Sequence, residues 1–444
     1  MNTLKKSVLA LTATTLITTA AQAGGFSTEG INPGGVLFND KSFVVQGALG
    51  YAMPQRRYKN AVGTQQHPGA LAPPPPVVFV PAAGSSASDA TPNYFLLSGD
   101  LKFGINNEFD CAVRGHQPYK LDNEVDPGFN GEYVQNSFKI DSVGVDGTCS
   151  YKIDMGNGRR IRLIGGVRST DLEATRTNRA SAEYLTGVSV ATHPVSGAFL
   201  FPEIATPALG LAGPDYTNEY SFEADRGYGY RIGASFEIPQ YALRAQVIYD
   251  SKIELDLTGT QRIYAGTDVI MNEAITLGVD MPQSLSVRFQ TGINQTTLVY
   301  GGVRWMNWSD VSSLMITHPT NPLLNKTLTT GWDDGWTIEG GVQKKLTDDL
   351  SGSLGIKWDK GIGGGYTDTW TGSAGIAYDL DDNWRISFGG SISLLTSSTE
   401  MDGFGFGTCF DSTCSPGGGQ SSSMYRQGTD WAYAIGTRIQ YTMD

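Results

Sequence analysis

Segments in which apolar and polar side chains alternate one by one recur along most of this chain. Between Trp384 and Leu394, apolar Ile386 and Phe388 alternate with polar Arg385 and Ser387. The same alternation covers residues 160–168, 241–250, 285–290 and 431–440. A membrane-spanning strand needs this period of two over about ten residues, because one face contacts lipid and the other a polar interior. No run of about 18 apolar residues follows the N-terminus, so the pattern predicts an all-β protein, either a large secreted one or a transmembrane barrel.

The composition agrees with one large membrane-exposed unit better than with several soluble domains. Charged residues make up only 17% of the 444 residues, below the roughly 25% that is typical of soluble proteins. The formal net charge of -12 argues against a nucleic-acid partner, because phosphates need a basic surface. The 56 glycines follow no collagen-like period, and in strands they suit bulges and close backbone approach.

The N-terminus has the three parts of a secretory signal. Lys5 and Lys6 precede a short apolar run at residues 7–20, and Ala21-Gln22-Ala23 supplies small residues for cleavage. The apolar run is too short to span a bilayer, and no stop-transfer pattern follows it. We therefore expect cleavage after Ala23 and export of the mature chain; the alternative is a retained membrane anchor.

Short turns and long connections alternate along the chain. Turn residues separate alternating segments at 106–107, 155–158, 239–240, 294–295, 347–349 and 381–383. Longer connections lie at about 53–92, 116–135, 171–225, 256–281, 311–333, 359–366 and 397–428. With a first strand at Phe43–Tyr51, this gives about fourteen antiparallel strands, an even number that places both termini in the periplasm and most long loops outside. A soluble sandwich or propeller gives no reason for this regular change of connection length.

The cysteines and histidines favour disulfides over a catalytic or metal site. Cys111 and Cys149 lie in consecutive predicted strands and can pair across them, and Cys409 and Cys414 are close enough for a small loop disulfide. Export places all four in an oxidising compartment. The four histidines are scattered, and they match neither a zinc ligand set nor a catalytic triad. We therefore expect no enzyme activity, no cofactor and no metal.

Three segments in the second half of the chain resemble the long-chain fatty acid transporter (FadL-type) family of outer-membrane barrels. They are Gly227–Gly233 (GYGYRIG), Met281–Val287 (MPQSLSV) and Tyr300–Asp310 (YGGVRWMNWSD). The resemblance covers about 226–396 well and the first half weakly. It implies a monomeric fourteen-stranded barrel, surrounded by outer-membrane lipids, that takes up hydrophobic compounds passively, with long-chain fatty acids as substrates.

The resemblance also implies an N-terminal hatch and a kinked third strand with a side window. Asn32, Pro33 and Gly34 are the counterpart of the family's hatch element, although the segment is short and the alternative is a plain turn. Gly115 and Pro118 lie where the third strand breaks, or Pro118 simply ends it, because proline cannot donate a ladder hydrogen bond. The resulting division is a signal peptide at 1–23, a short hatch-like segment at 24–41 and the barrel at 42–444.

Charged residues in the predicted strands are expected to face the lumen, because lipid-facing charge costs about 2–4 kcal/mol near the bilayer midplane. The alternation directs nine arginines inward: Arg160, Arg162, Arg168, Arg231, Arg244, Arg288, Arg304, Arg385 and Arg438. Six further charges are assigned to the same face: Lys102, Lys139, Lys357, Asp100, Asp141 and Glu339. Some of the arginines can meet a carboxylate headgroup; the alternative is a structural ladder of arginine–acid pairs.

An apolar ligand needs an apolar site, and the lumen-facing positions show no obvious one. The long connection at 171–225 offers an apolar site, and Phe79 adds a wall to that site. Its candidate ligand-binding residues are Phe199, Leu200, Phe201, Ile204, Leu209 and Leu211; the alternative is packing of the loop against itself. Two other functions stay open: a polar-solute porin with a charged lumen, and a surface barrel without transport.

Overall fold

The structure is a computed structural model that describes residues 25–68, 77–81, 85–89, 91–129, 136–180, 216–224, 226–363, 366–397 and 422–444. The predicted signal peptide, the loop candidates from Phe199 to Leu211 and the Cys409–Cys414 pair lie outside the described residues. Within the described part, none of the helices has the length and apolar character needed to cross a bilayer.

Strands make up nearly all of the regular structure of the described residues. Short 3-10 helices lie at Gly35–Phe38, Pro239–Tyr241, Trp308–Val311 and Pro322–Leu324. The strands are β1 (Phe43–Pro54), β2 (Arg57–Pro68), β3 (Val77–Pro81), β4 (Ser88–Asp89), β5 (Tyr94–Gly104), β6 (Phe109–His116), β7 (Leu121–Glu124), β8 (Ser137–Asp154), β9 (Arg160–Ala180), β10 (Tyr216–Ala224), β11 (Gly227–Ile238), β12 (Leu243–Asp250), β13 (Ile253–Ala265), β14 (Asp268–Met281), β15 (Ser284–Gly292), β16 (Thr297–Met306), β17 (Ser313–Thr317), β18 (Lys326–Thr329), β19 (Gly335–Lys345), β20 (Leu350–Asp359), β21 (Thr369–Asp379), β22 (Trp384–Leu395), β23 (Ser422–Gln427) and β24 (Asp430–Met443).

The main sheet closes on itself into an antiparallel barrel of fourteen wall strands. Ten of them are single elements: β1, β5, β8, β9, β16, β19, β20, β21, β22 and β24. Four are formed by two consecutive elements each: β6 with β7, β10 with β11, β12 with β13, and β14 with β15. Strand β1 pairs with both β24 and β5, which closes the barrel. Closure pairs the first wall strand with the last, and the predicted barrel of about fourteen strands is confirmed.

The two faces of the wall differ as the sequence alternation predicts. The outer face exposes large apolar side chains such as Val167 and Phe388, whereas their neighbours in the chain Arg168 and Ser387 are buried. Aromatic residues collect outside at both ends. Trp336, Trp370 and Trp431 lie where β19, β21 and β24 begin after long connections, and Trp384, Tyr378 and Tyr241 lie beside short turns. These two aromatic bands are the positions expected for the two lipid–water boundaries.

Part of the wall extends beyond the bilayer on the side of the long connections, and here the sequence prediction was wrong. The ranges 256–281, 311–333 and 171–225 were assigned to connections, but they contain β13, β14, β17, β18, β10 and the end of β9. Lys139 and Asp141 were assigned to the lumen, yet they lie on the outer face of β8, with side chains 45% and 49% exposed. The outer face of this extension contacts water, so the penalty for charge in lipid does not act there.

A small second sheet lies above the place where the barrel closes. Strands β23, β2 and β3 are neighbours in it, and β4 also pairs with β2. These strands come from the connection after β1 and the one before β24, which start beside each other because β1 and β24 pair. Phe79 lies on β3 opposite Gln66 of β2.

The predicted disulfide between Cys111 and Cys149 is confirmed. The two residues are direct partners in the β6–β8 ladder. Both belong to the alternate positions that face outward, since their neighbours Asp110 and Ser150 are buried inside. The bond therefore links two adjacent wall strands on the lipid side.

Candidate functional site

The N-terminal segment, residues 25–42, lies inside the barrel. The carboxylate of Glu29 accepts hydrogen bonds from Arg168 of β9 and Arg304 of β16, both at 3.1 Å. Its other oxygen lies 3.1 Å from Nε2 of His116 on β6. Strands β9 and β16 are separated in the wall by β11, β12 and β15. Arginines from both of these distant strands reach the Glu29 carboxylate because Glu29 lies inside the lumen.

Four further contacts fasten this segment to the wall. Gln246 donates to the side-chain oxygen of Asn32 at 2.9 Å, and Arg162 donates to the backbone carbonyl of Leu37 at 2.8 Å. Lys102, which is fully buried, donates to the carbonyls of Asn39 and Lys41, each at 2.6 Å. The segment is thus attached along its whole length to the inner face of the barrel.

The Asn32–Pro33–Gly34 element is both a turn and a wall contact. Gly34 has φ 69°, a left-handed conformation that suits glycine, and it precedes the 3-10 helix Gly35–Phe38. That helix places Phe38 among buried apolar residues of the wall. Whether the element gates the lumen stays a proposal.

The inner face of the extension is strongly apolar, contrary to the expectation that the lumen-facing positions offer no apolar site. In β13, Ile253, Leu255 and Leu257 are buried, whereas Glu254 and Asp256 between them are exposed. We call the whole buried group the upper apolar cluster. Its members are Phe26, Tyr119, Leu121, Ile140, Leu172, Tyr220, Phe222, Ile253, Leu255, Leu257, Ile275, Leu277, Val279, Met281, Met306, Trp308, Val311, Ile316, Trp332 and Ile362.

Aromatic rings form one side of the upper apolar cluster around Phe26. The Phe26 ring centroid lies 4.6 Å from that of Trp308, 5.7 Å from Trp332 and 5.8 Å from Tyr119, all edge-to-face. Edge-to-face contacts at these distances are favourable. The Trp308 side chain is fully buried, and its indole Nε1 has no hydrogen-bond partner in the part of the chain that the structure describes. An aromatic enclosure of this kind accommodates an apolar group and offers it one polar contact.

Two cations border the upper apolar cluster on the extracellular side. Arg176 of β9 is opposite both Phe138 and Tyr220, which pack in or against the cluster. Lys326 of β18 is opposite the cluster residue Ile316. Burial, and then the nearby charge of Arg176, lower the pKa of Lys326 to about 8. A lowered pKa means that negative charge nearby does not offset the burial of the ammonium ion, so a carboxylate ligand would stabilise it.

The nine arginines assigned to the lumen all lie on the inner face of their strands. Seven of them form ion pairs with acidic side chains: Arg160, Arg162, Arg168, Arg231, Arg288, Arg304 and Arg385. Arg438 is on β24, in the same row of inward positions, and Arg244 contacts the neutral side chain of Gln290. This arrangement favours the ladder of arginine–acid pairs as the role of most of them.

A cavity of about 220 Å³ with a mixed polar and apolar lining lies between the N-terminal segment and the wall formed by β19, β20, β21, β24 and β1. Its lining includes Glu29, Gln46, Glu339, Lys357 and Ser373, and it reaches Leu97 and Gln117 at the third wall strand. The lumen therefore combines an apolar upper part with a polar lower part.

The third wall strand is interrupted between β6, which ends at His116, and β7, which begins at Leu121. In this gap the chain pairs with the N-terminal segment instead, through the bridge between Ser27 and Tyr119. The backbone N–H of Thr28 donates to Pro118 at 2.9 Å. Pro118 and its neighbours therefore leave the wall and turn toward the lumen.

The interruption leaves part of β5 without a strand partner on one side. The β5–β6 ladder begins at the Gly99–Gly115 pair, so residues 94–98 pair with β1 alone. The side-chain oxygen of Gln117 accepts the Leu97 N–H at 3.0 Å in place of a strand. The strand ladder of the wall is thus interrupted between β5 and the segment at 117–120, and a lateral opening would lie there.

Comparison with known proteins identifies the family. A family model described as outer membrane protein transport protein (OMPP1/FadL/TodX) matches residues 6–362. The chain belongs to this family. Its members are passive transport channels for hydrophobic compounds in the outer membrane, not enzymes, so the predicted location is confirmed. No curated protein sequence matches the chain significantly.

Solved structures of low sequence identity share the fold. A FadL homologue of Pseudomonas aeruginosa is 17% identical, with 93% of each chain covered and a TM-score of 0.70. The toluene transporter TbuX of Ralstonia pickettii is 13% identical, with 93% of this chain and 92% of that chain covered and a TM-score of 0.60. The toluene transporter TodX of P. putida is 14% identical over the same shares, with a TM-score of 0.58. At these identities the likeness establishes the barrel architecture alone.

Proposed function

We propose that this channel takes up amphiphilic carboxylates, long-chain fatty acids in particular. The observation that carries the proposal is the pair of cations, Arg176 and Lys326, at the border of the upper apolar cluster. An acyl chain fits an apolar site, and a carboxylate gains charge-assisted hydrogen bonds from arginine and lysine. A purely apolar ligand would not need either cation.

Single-ring aromatic hydrocarbons are the second candidate. The enclosure around Phe26 already surrounds a phenyl group with Trp308, Trp332 and Tyr119, and two similar structures are named toluene transporters. A polar-solute porin is disfavoured because the N-terminal segment crosses the lumen and is bonded to the wall at several points.

The proposed route runs from the loops to the interrupted wall strand. The candidate loop residues Phe199 to Leu211 would first collect the ligand, which then enters the upper apolar cluster. Exit would follow the gap beside Leu97 and Gln117, because the periplasmic end is occupied by the segment that ends at Asn39 and Lys41. Release would then be lateral, into the membrane, without removal of the N-terminal segment.

Binding to the purified protein in detergent micelles tests this function. Tryptophan fluorescence, to which Trp308 and Trp332 contribute among the eight tryptophans of the chain, is followed while oleate or toluene is added. We expect Lys326→Gln to weaken oleate binding about tenfold, the effect of about 1.4 kcal/mol, and to leave toluene binding unchanged. Toluene binding without measurable oleate binding would favour the second candidate. A steady ion current in planar bilayers would instead support a porin.

A further inference from the structure

Arg244 is a buried cation without an acidic partner among the described residues. Its side chain is 8% exposed and lies on the inner face of β12, near the periplasmic turn at Pro239–Tyr241. Its Nη2 donates to the amide oxygen of Gln290 at 2.9 Å, whereas its Nε has no partner. Its guanidinium carbon lies 4.0 Å from the centroid of the Phe38 ring. A cation–π contact and one neutral hydrogen bond do not replace a counter-charge.

Other arginines surround this position. Arg244 is opposite Gln290 in the β12–β15 ladder, so Arg288, two residues away on β15, is its diagonal neighbour on the same face. The guanidinium carbon of Arg162 lies 5.1 Å from the same Phe38 ring. The charges that act most on Arg244 are those of Arg288, Glu237 and Arg162. Two of these three repel it.

The carboxylate that acts on Arg244 already has other partners. Glu237 accepts hydrogen bonds from Arg160 at 2.6 Å, from Arg162 at 3.0 Å and from Ser235 at 2.8 Å. It therefore compensates two other arginines before it can compensate Arg244. Arg162 is also paired with Asp110 at 3.0 Å, and Arg288 with Glu339 at 2.7 Å. The charge without an acidic partner among the described residues is therefore that of Arg244, which is shielded from bulk water, where an uncompensated charge is costly.

Several nitrogen donors of the cluster have no acceptor. They are Nη2 of Arg162, Nε of Arg244, and Nε and Nη2 of Arg288, all buried. Arg162 and Arg288 are 0% and 1% exposed, so their donors cannot turn into bulk solvent. Buried N–H groups normally find acceptors, and one left without costs about 1–3 kcal/mol. The uncompensated charge of Arg244 and the unused donors of all three arginines indicate that an anion belongs beside them.

We propose that Arg244 and Arg288, with Arg162, bind a small monovalent anion beside Phe38 at the periplasmic end of the lumen. The ligand is a halide or a carboxylate, both of which accept several hydrogen bonds from guanidinium groups. The anion compensates Arg244, which contacts Phe38, and so it fixes the end of the N-terminal segment. The site stands apart from the Arg176–Lys326 pair and does not depend on the transported substrate.

Anomalous diffraction from crystals of the full barrel in sodium bromide tests the site directly. We expect a bromide peak within hydrogen-bonding distance of Arg244 and Arg288, and we expect octanoate to reduce it if a carboxylate is the natural ligand. An undiminished peak in octanoate assigns the site to an inorganic anion. Bromide peaks confined to the outer surface of the protein would overturn the proposal.

Thermal unfolding provides a second measurement with matched variants. Sodium bromide should raise the unfolding temperature of the wild-type barrel relative to the same protein at low salt. Arg244→Gln should lose this shift, whereas Arg385→Gln should keep it, because Arg385 is already paired with Asp379 at 2.5 and 2.9 Å. An equal bromide shift in the Arg244→Gln variant would contradict a site at Arg244.

Discussion

Arg304 contacts Glu29 twice, although the two residues are 275 positions apart: its Nη1 donates to the backbone carbonyl at 2.7 Å and its Nη2 to the carboxylate at 3.1 Å. Arg168 donates to the same carboxylate oxygen from another strand. Glu29 is therefore the point where the N-terminal segment joins two separate parts of the barrel wall. Loss of this carboxylate affects the segment before it affects the wall.

Replacement of Glu29 by glutamine should detach the N-terminal segment. The change leaves Arg168 and Arg304 buried with less compensation, and breaking such a buried pair typically costs about 3–5 kcal/mol. Limited proteolysis should then cut residues 25–42 in the variant while the barrel stays folded. Lys41→Gln is the control, because its partner Asp444 is mostly exposed. Equal protease resistance of the Glu29→Gln variant and the wild type would contradict this anchoring role.

The same contact should resist mild acid. Burial opposes ionisation of Glu29, but Arg168, His116 and Arg304 outweigh it and hold the pKa of the carboxyl well below its usual range. Because the unfolded chain has a glutamate pKa of about 4.3, the ion pairs stabilise the fold above that pH and are lost only as pH falls through the lower folded-state value. Proteolysis with an acid-active protease should show the segment intact at about pH 3.5, where a glutamate of ordinary pKa is mostly protonated. Cleavage at that pH would show that Glu29 titrates normally.

Oleate binding should depend on the charge of Lys326. With its pKa at about 8, the ammonium ion is present at pH 7 and mostly lost at about pH 9, so the affinity should fall as pH rises through this range. The Lys326→Gln variant should bind weakly at both pH values and show no such decline. Lys252→Gln is a matched control, because Lys252 is exposed and paired with Asp280. The same pH dependence in wild type and Lys326→Gln would assign it to another group.

Aspartate at Phe199 and Phe201 should reduce the uptake of hydrophobic ligands. A charged side chain removes the apolar contact that a loop groove would offer, while the barrel strands are unchanged. Uptake by whole cells, together with heat-dependent migration in SDS gels as the assembly readout, measures both effects. Normal uptake by the double variant would discard the loop groove.

A cross-link over the interrupted strand should block lateral exit. Cysteines at Leu97 and Gln117, whose backbone N–H and side chain are in contact, would join β5 to the segment beyond β6. We expect oxidised Leu97→Cys/Gln117→Cys protein to transport less than the single variants and to recover on reduction. Wild-type protein under the same reduction controls for the native Cys111–Cys149 bond. Unchanged transport by the cross-linked protein would favour a periplasmic exit.

The strand pattern alone was enough to predict the barrel, its number of strands and the inward position of the nine arginines. A period of two assigns each side chain to one of two faces without knowledge of the neighbouring strand. The Cys111–Cys149 pair was also predictable from the sequence, because consecutive strands of an antiparallel barrel are neighbours even where a long connection joins them. The alternation does not tell how high a strand rises above the bilayer, and so Lys139, Asp141 and the hairpin at 256–281 were misassigned.

The candidate site itself depended on the tertiary structure. Ile253, Leu255 and Leu257 alternate with acidic residues just as membrane strands do, and only the bend between β12 and β13 shows that their apolar face is the inner one. Glu29 carries no local signal, because its partners Arg168 and Arg304 come together only when the barrel closes. The sequence determined which residues of a strand share a face, since that follows from local strand geometry. Only the tertiary structure decided which face is the inner one and which faces meet across the lumen, because closure brings together residues that no local pattern connects.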